Sequence, residues 1–358
     1  MKRVIVSVTN DLVADQRVDK VANSLSSAGF LVLLVGRRLS DSEYLIQRKY
    51  ATYRLKVFFK KGFLFYLEYN MRLFFFLLIN KSDILLSNDL DTLFANFLVS
   101  KIKKKKLVYD SHELFTELPE LIGRTFKKNI WLFMENFFLR RISIAYTVSR
   151  SIADYYKDKY GINMSVISNY PIIHKVSNRG VLKNKKLIIY QGAINKDRGI
   201  DLMIESMLYV DAELHIIGDG DLFTEMKEHV RRLNVGHKVF LKGRVAFHDL
   251  FNITKEADLG LSFESDTCLS YRYALPNKIF DYINAEVPVL VSDLPEFRRV
   301  LGSYKVGAIL DSRDIKSIAK KINYLLSIPR SKWSSELLKA KKEYAWDMQE
   351  KKLLSFFE

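Results

Sequence analysis

Short apolar runs alternate with amphipathic stretches from one end of this chain to the other. Residues 4–8, 31–35, 84–86, 106–109, 144–148 and 165–167 are aliphatic or β-branched and bounded by polar positions, which predicts strands. Between them, 17–28, 63–80, 91–102, 127–141 and 150–159 repeat apolar residues three and four apart, the spacing of a helix with one buried face. The pattern restarts after residue 185. Strands are expected at 187–190, 213–217, 238–241, 258–262, 289–291 and 308–310, and helices near 199–209, 221–233, 247–256, 277–285, 296–301 and 315–327. Repeated β-α alternation predicts parallel sheets covered by helices on both faces.

The pattern lapses over 168–186, where a proline, a glycine, several asparagines and a basic tail show no sustained period. This divides the chain into a Rossmann-like domain at 1–170, a linker at 171–186 and a second Rossmann-like domain at 187–330, both doubly wound α/β. Residues 331–358 read as helix, with Leu337, Leu338, Tyr344, Ala345, Leu353 and Leu354 as the apolar face.

Composition agrees with two cores: 358 residues, 48% apolar and 13% aromatic. Cys268 is the single cysteine, so no internal disulfide is expected and a reducing compartment fits. The first apolar run is too short for a signal-peptide core, and the longest, 73–79, is closed by Arg72 and Lys81. Neither approaches the roughly 20 residues a membrane span needs, so a cytoplasmic protein is expected.

The net charge is +16 and unevenly placed: residues 1–170 carry 27 Lys and Arg against 16 Asp and Glu, the remainder 30 against 25. Such an excess favours an anionic partner. Residues 57–79 are rich in phenylalanine, 126–141 combine Trp, Phe and Met with basic ends, and five lysines fall within 101–106. The expectation is that 57–79 mainly packs on its sheet, while this domain as a whole meets the anionic inner-membrane surface as a peripheral protein. Nucleic-acid binding has only the charge in its favour, with no helix-turn-helix, RNP or zinc pattern, and is not expected.

The most informative stretch is 271–296, YRYALPNKIFDYINAEVPVLVSDLPE. Pro276-Asn277 suits a helix entry, and Pro288 ends that helix before a short buried strand. Lys278 stands in the first turn, where a helix N-terminus already favours phosphate oxygens, and Asp281 one turn later can accept from sugar hydroxyls. The ordered string closely resembles the donor-sugar motif of the family 4 (group 1) glycosyltransferases. That resemblance implies the GT-B fold, two Rossmann-like domains facing across a cleft, and a retaining transfer from a nucleotide-sugar.

Other segments carry the same resemblance. In YQGAINKDRGID, Gly192 opens a basic loop like the family's diphosphate clamp. Arg198 matches its second basic position, and Ala193 replaces the first arginine, with Lys196 as the substitute. Gly218 belongs to a G-x-G turn like the one lining the family's nucleotide cleft, and Val245 follows a KGRV turn at the base-contacting position. Leu275 and Asn277, with the backbone of 274–277, complete the implied donor set. In the first domain YDSHE ends a strand, where open α/β sheets bind ligands. His112 is implied to meet the transferred sugar, supported by Asp110 and Glu113, and Asp11 and Arg17 after the first strand to serve the acceptor side. Capping by Asp15 is the alternative use of that loop.

One departure matters. Counting back eight from Asp281 reaches Tyr273, where the family's first acid would stand; Glu264 and Asp266 are at the wrong spacing. No metal site is evident, and Asp89-Leu90-Asp91 reads as a helix cap rather than a metal motif. His112, Arg198 and Asp281 are therefore the expected catalytic set, with no cofactor and the nucleotide-sugar, UDP-linked by family prevalence, as co-substrate. The expected function is glycosyl transfer to a lipid-linked or polysaccharide acceptor in cell-surface polysaccharide synthesis. The alternatives are a nucleotide-sugar-binding scaffold weakened by the missing acid, and a GT-B nucleotide-sugar epimerase.

Overall fold

The computed structural model describes residues 1–13, 15–40, 42–176 and 185–358; of the linker expected at 171–186, residues 177–184 lie outside the described residues. The chain divides into two compact units, Met1–Asn169 with Gln349–Glu358, and Tyr170–Met348.

The first unit runs β1 (Arg3–Ser7), α1 (Gln16–Ser27), β2 (Leu31–Arg38), β3 (Ala51–Lys56), α2 (Phe63–Ile79), β4 (Ile84–Asn88), α3 (Leu90–Ile102), β5 (Lys106–Ser111), α4 (Thr125–Leu139), β6 (Ala145–Thr147), α5 (Arg150–Tyr160) and β7 (Ser165–Val166). Its seven strands are parallel in the order β3-β2-β1-β4-β5-β6-β7. β4 is buried at every position, as a strand covered on both faces must be. β3 escapes the apolar pattern because it is an edge strand with Leu55 as its one buried residue.

α2 packs inward along one face, as expected of 57–79, and leaves a second face outside. Phe65, Tyr69, Leu73 and Leu77 are buried at i+4 spacing, but Leu64, Leu67, Met71, Phe75 and Ile79 form a second, exposed apolar stripe. Lys103 is not a free surface charge either, since its Nζ donates to the carbonyls of Leu77, Leu78 and Asn80 at the end of α2.

The second unit runs β8 (Leu187–Gln191), α6 (Ile200–Ser206), β9 (Glu213–Ile217), α7 (Phe223–Arg232), β10 (Val239–Gly243), α8 (Phe247–Thr254), β11 (Leu259–Ser262), α9 (Leu269–Arg272), α10 (Asn277–Asn284), β12 (Val289–Val291), α11 (Pro295–Ser303), β13 (Gly307–Ile309), α12 (Ile315–Ser327) and α13 (Ser331–Glu343). Six parallel strands lie in the order β10-β9-β8-β11-β12-β13. Successive strand residues point to opposite faces. Ile188 and Tyr190 accordingly join one core with α6 and α12, while Leu187 and Ile189 join another with α10 and α11. The terminal stretch is two helices, because the chain breaks at Tyr344-Ala345 before α14 (Trp346–Leu354). Leu338, expected on its apolar face, is exposed.

Both sheets reverse strand order between their first and fourth strands. That is where open α/β sheets leave a crevice at the carboxyl edge.

Candidate functional site

In the second unit the loops leaving β8 and β11 are laced together. Ser265 N–H donates to the Asp197 carbonyl, and Arg313 donates to the Phe263 carbonyl and the Ser265 hydroxyl. Glycine permits this closeness and that of the turn after β9. A Cβ on Gly199 would lie 2.5 Å from the Phe263 carbonyl oxygen, and one on Gly218 would lie 1.9 Å from that of Gly192. Both also take positive φ, which favours glycine.

Three charged groups meet there. Lys278, on the first turn of α10, places Nζ 2.7 Å from Glu264 Oε1, and Arg198 Nη1 lies 3.5 Å from the same oxygen. Ser262 donates to the other Glu264 oxygen at 2.6 Å. Glu264 is fully buried, Lys278 nearly so, and the Arg198 side chain one-quarter exposed. Burial would push the Glu264 carboxyl up, but Lys278 and then Arg198 outweigh it and hold it below the ordinary glutamate range. Arg198 stacks over Tyr271 at 4.8 Å, and its Nε is buried with no hydrogen-bond partner among the described residues. Glu264 thus joins this charged cluster, although spacing within the sequence passed over it. Its signal is position, two residues beyond the end of β11 at the switch point.

Asp281 lies on α10 and accepts from Gln191 Nε2 at 3.0 Å, while Gln191 accepts from the Thr254 hydroxyl at 2.7 Å. Gly192 stands at the end of β8 with φ +138°, where a Cβ would meet the Lys278 and Tyr190 side chains, each at 3.4 Å. Lys196 is exposed, Asn277 is the exposed first residue of α10, and the N-cap of that helix makes no side-chain hydrogen bond. Val245 and Leu275 are half-buried and pack against the α10 core.

The first unit holds a separate cluster at its carboxyl edge. Arg17 donates from Nε and Nη2 to the two Asp110 oxygens at 3.1 and 2.8 Å, and from Nη1 to the Ile167 carbonyl at 2.9 Å. Arg17 is therefore buried, with Nε, Nη1 and Nη2 each donating within the unit. Asp15 caps α1 by accepting from Val18 N–H, and Asp11 accepts from Val13 N–H. Glu113 is exposed.

His112 sits between two carboxylates, with Nδ1 3.3 Å from Asp89 Oδ2 and Nε2 3.2 Å from Asp110 Oδ2. The second approach lies off the donor axis and is an ion-pair contact, not a hydrogen bond. Burial would lower the imidazole's pKa, but Asp89 and Asp110 outweigh it and raise it to about 9. Arg17 and His112 hold Asp110 down at about 2 despite burial, whereas burial pushes Asp89 up to about 6 and Asp91 to about 7.

Asp89 corrects the capping expectation. At φ +55° its side chain caps nothing on α3; it accepts instead from His112 N–H at 2.8 Å. Asp91 likewise accepts from the Thr9 hydroxyl at 2.5 Å. Among the described residues no three His, Cys, Asp or Glu groups converge as a metal site.

These values predict a titration. By NMR the His112 ring should stay charged through neutrality and lose its proton near pH 9. Because the folded value is raised above about 6.5, the associated stability is complete below that pH and lost as pH rises through about 9. Asp89→Asn should move the step toward 6.5. A wild-type ring that titrates near 6.5 would show the carboxylates do not act on it.

Two family models match the chain, glycosyl transferases group 1 over residues 174–345 and glycosyltransferase family 4 over residues 14–170. No curated protein sequence matches it significantly. Sucrose-phosphate synthase from Thermosynechococcus elongatus superposes with a TM-score of 0.82 at 14% identity, covering 100% of this chain and 98% of that one. Anabaena HepE, solved with UDP and glucose, gives 0.78 at 13% identity over 100% and 99%. The S. aureus TarM mutant solved with UDP gives 0.71 at 13% identity over 100% of both chains. At these identities the likeness is one of fold, and that fold is GT-B, with two Rossmann-like domains.

Proposed function

We propose that this chain, which belongs to the family 4 (group 1) glycosyltransferases, moves a sugar from a UDP-linked donor to a lipid-linked or polysaccharide acceptor with retention of configuration, in cell-surface polysaccharide synthesis. The observation that carries the donor reading is the Arg198–Lys278 pair converging on one carboxylate, Glu264, with Arg198 Nε buried and without a hydrogen-bond partner among the described residues. Two cations against one anion leave a positive charge, and an orphaned guanidinium N–H is costly until an acceptor arrives. A diphosphate oxygen is such an acceptor, and the uncapped first turn of α10 adds N–H groups for a second. The UDP in the HepE and TarM structures supports a uridine nucleotide.

Asp281, oriented by Gln191, is assigned to the ribose hydroxyls, and Gly192, Lys196 and Gly218 to the diphosphate and nucleotide loops. As the donor bond breaks, negative charge grows on the leaving phosphate, where Arg198 and Lys278 stabilise it. The leaving phosphate then takes the acceptor's proton on the same face, which needs no separate base and gives retention. Protonated His112 sets a positive charge beside the transferred sugar, with Asp110 and Asp89 fixing its ring. The mechanism is proposed to be metal-independent, with these cations neutralising the diphosphate. The exposed stripe of α2 and the basic surface of the first unit are assigned to an anionic bilayer, where a lipid-linked acceptor resides; among the described residues no helix is long and apolar enough to cross one.

Thermal shift across UDP- and GDP-sugars tests the donor reading, with UDP-sugars expected to stabilise. Arg198→Ala should weaken UDP binding by about 1.5–3 kcal/mol through loss of a charge-assisted contact. No shift with any nucleotide-sugar would sink the reading. Binding without turnover would favour the scaffold, and conversion of the donor without an acceptor the epimerase. A product of inverted configuration by NMR, or activity abolished by EDTA, would remove retention or metal independence respectively.

A further inference from the structure

At the amino ends of β5 and β6 the first unit has a pocket of about 280 Å³. Lys106 opens β5 and His112 follows its end, six residues on, so this pocket is at the other end of the sheet from His112, roughly 20 Å along the strand. Lys101, Lys104, Lys105, Lys106 and Arg141 line it, and among the described residues no carboxylate does. Lys105 pairs with Asp83 at 3.6 Å, both groups being partly exposed, and Arg141 Nη1 donates to the Phe137 carbonyl with the guanidinium over the Phe137 ring. Cations gathered this closely raise one another's energy unless an anion sits between them.

Lys104 is a second, independent observation. α3 ends in a turn where Lys105 N–H reaches the Ser100 carbonyl at 2.8 Å and Lys104 stands at φ +52°. Glycine ordinarily takes that position, because a side chain there strains the backbone. A cation does suit a helix C-terminus, but Lys101 already supplies one in the last turn of α3. Ending the helix therefore does not account for a strained lysine at this mouth. Phe97, Leu107, Ile142 and Ile144 also line it, beside Ser100 and Ser143. Cations and apolar side chains in one pocket match a phosphate attached to an organic body better than a long polyanion, which would need an extended basic track.

We infer that this pocket is a binding site for a phosphate monoester carried on an organic group, held by Lys101, Lys104, Lys106 and Arg141. It is distinct from the donor loops of the second unit and does not depend on them. A lipid headgroup and a soluble phosphorylated compound share this chemistry.

Glycerol 3-phosphate is the soluble probe, titrated by calorimetry into the full chain with UDP present. The lipid probe is phosphatidylcholine vesicles with and without phosphatidate. Wild type should bind at least one of them saturably, and Lys104→Gly or Arg141→Gln should weaken that binding about tenfold or more. Lys104→Gly should melt at the wild-type temperature or above, because glycine relieves the strain. Binding only to phosphatidate vesicles identifies the lipid as the source, and binding only to glycerol 3-phosphate a soluble ligand. The inference is overturned if Lys104→Gly and Arg141→Gln bind like wild type. It is also overturned if Lys60→Gln/Lys61→Gln loses as much, since general charge would then suffice. Loss confined to Phe75→Ser/Ile79→Ser would place the lipid contact on α2 and leave the pocket without a ligand.

Discussion

Lys278→Met should destabilise the second unit by about 3–5 kcal/mol, the range for breaking a buried ion pair from one side. The variant leaves the Glu264 carboxylate fully buried, with Ser262 and the more distant Arg198 as its remaining partners. Glu264→Gln added to Lys278→Met should restore most of that loss, since an amide can keep the Ser262 hydrogen bond without carrying a buried charge. Urea unfolding of the single and double variants measures this coupling. Affinity for UDP should fall in both, because the cation is absent from both. If the double variant recovered affinity together with stability, Lys278 would hold the fold and nothing more.

The second large effect is in the first unit, where Arg17→Met should cost a similar 3–5 kcal/mol. Asp110 is fully buried and receives two hydrogen bonds from Arg17; removing Arg17 leaves it the off-axis His112 contact and the neighbouring Tyr146 side chain. The pH dependence gives this prediction a sign. Asp110 is lowered from 3.8 to about 2, so its contribution is present above about pH 3.8 and lost as pH falls through about 2. In Arg17→Met the carboxyl pKa rises and the group protonates earlier, so the gap between variant and wild type should narrow on acidification. Asp110→Asn in the same background should narrow it at neutral pH as well. A gap independent of pH would mean the loss came from packing of the arginine stem against Tyr146, which the guanidinium faces at 5.8 Å.

These two pairs show where a linear reading ran out. Arg17 and Asp110 are 93 positions apart. Both were candidates from their own motifs, yet nothing in either motif says they bind each other. Asp89 and Asp91 had the letters of a helix cap. Which carboxylates face His112 depends on β4 lying beside β5, and a cap is available only if the side chain has no better partner. Glu264 was set aside on a spacing count along the chain. The relevant distance is across the sheet, where the loops after β8 and β11 meet.

The surface of α2 is a related case. Its residues are apolar on nearly every side, so period alone does not say which are covered, and the structure leaves Leu64, Leu67, Met71, Phe75 and Ile79 outside. β3 went unread for the opposite reason, being an edge strand too exposed to show an apolar run.

The sequence by itself determined the β-α alternation, the two parallel sheets and the start of α10 with Lys278 and Asp281 on it. Each rests on local rules: a period of two or 3.6, a proline at a helix entry, a glycine where no side chain fits. The tertiary structure alone decided the partners: Glu264 for Arg198 and Lys278, Asp110 for Arg17, and two carboxylates for His112. Those pairings follow from strand order and burial, which bring together the ends of strands far apart in the chain and remove the water that would otherwise solvate each charge alone.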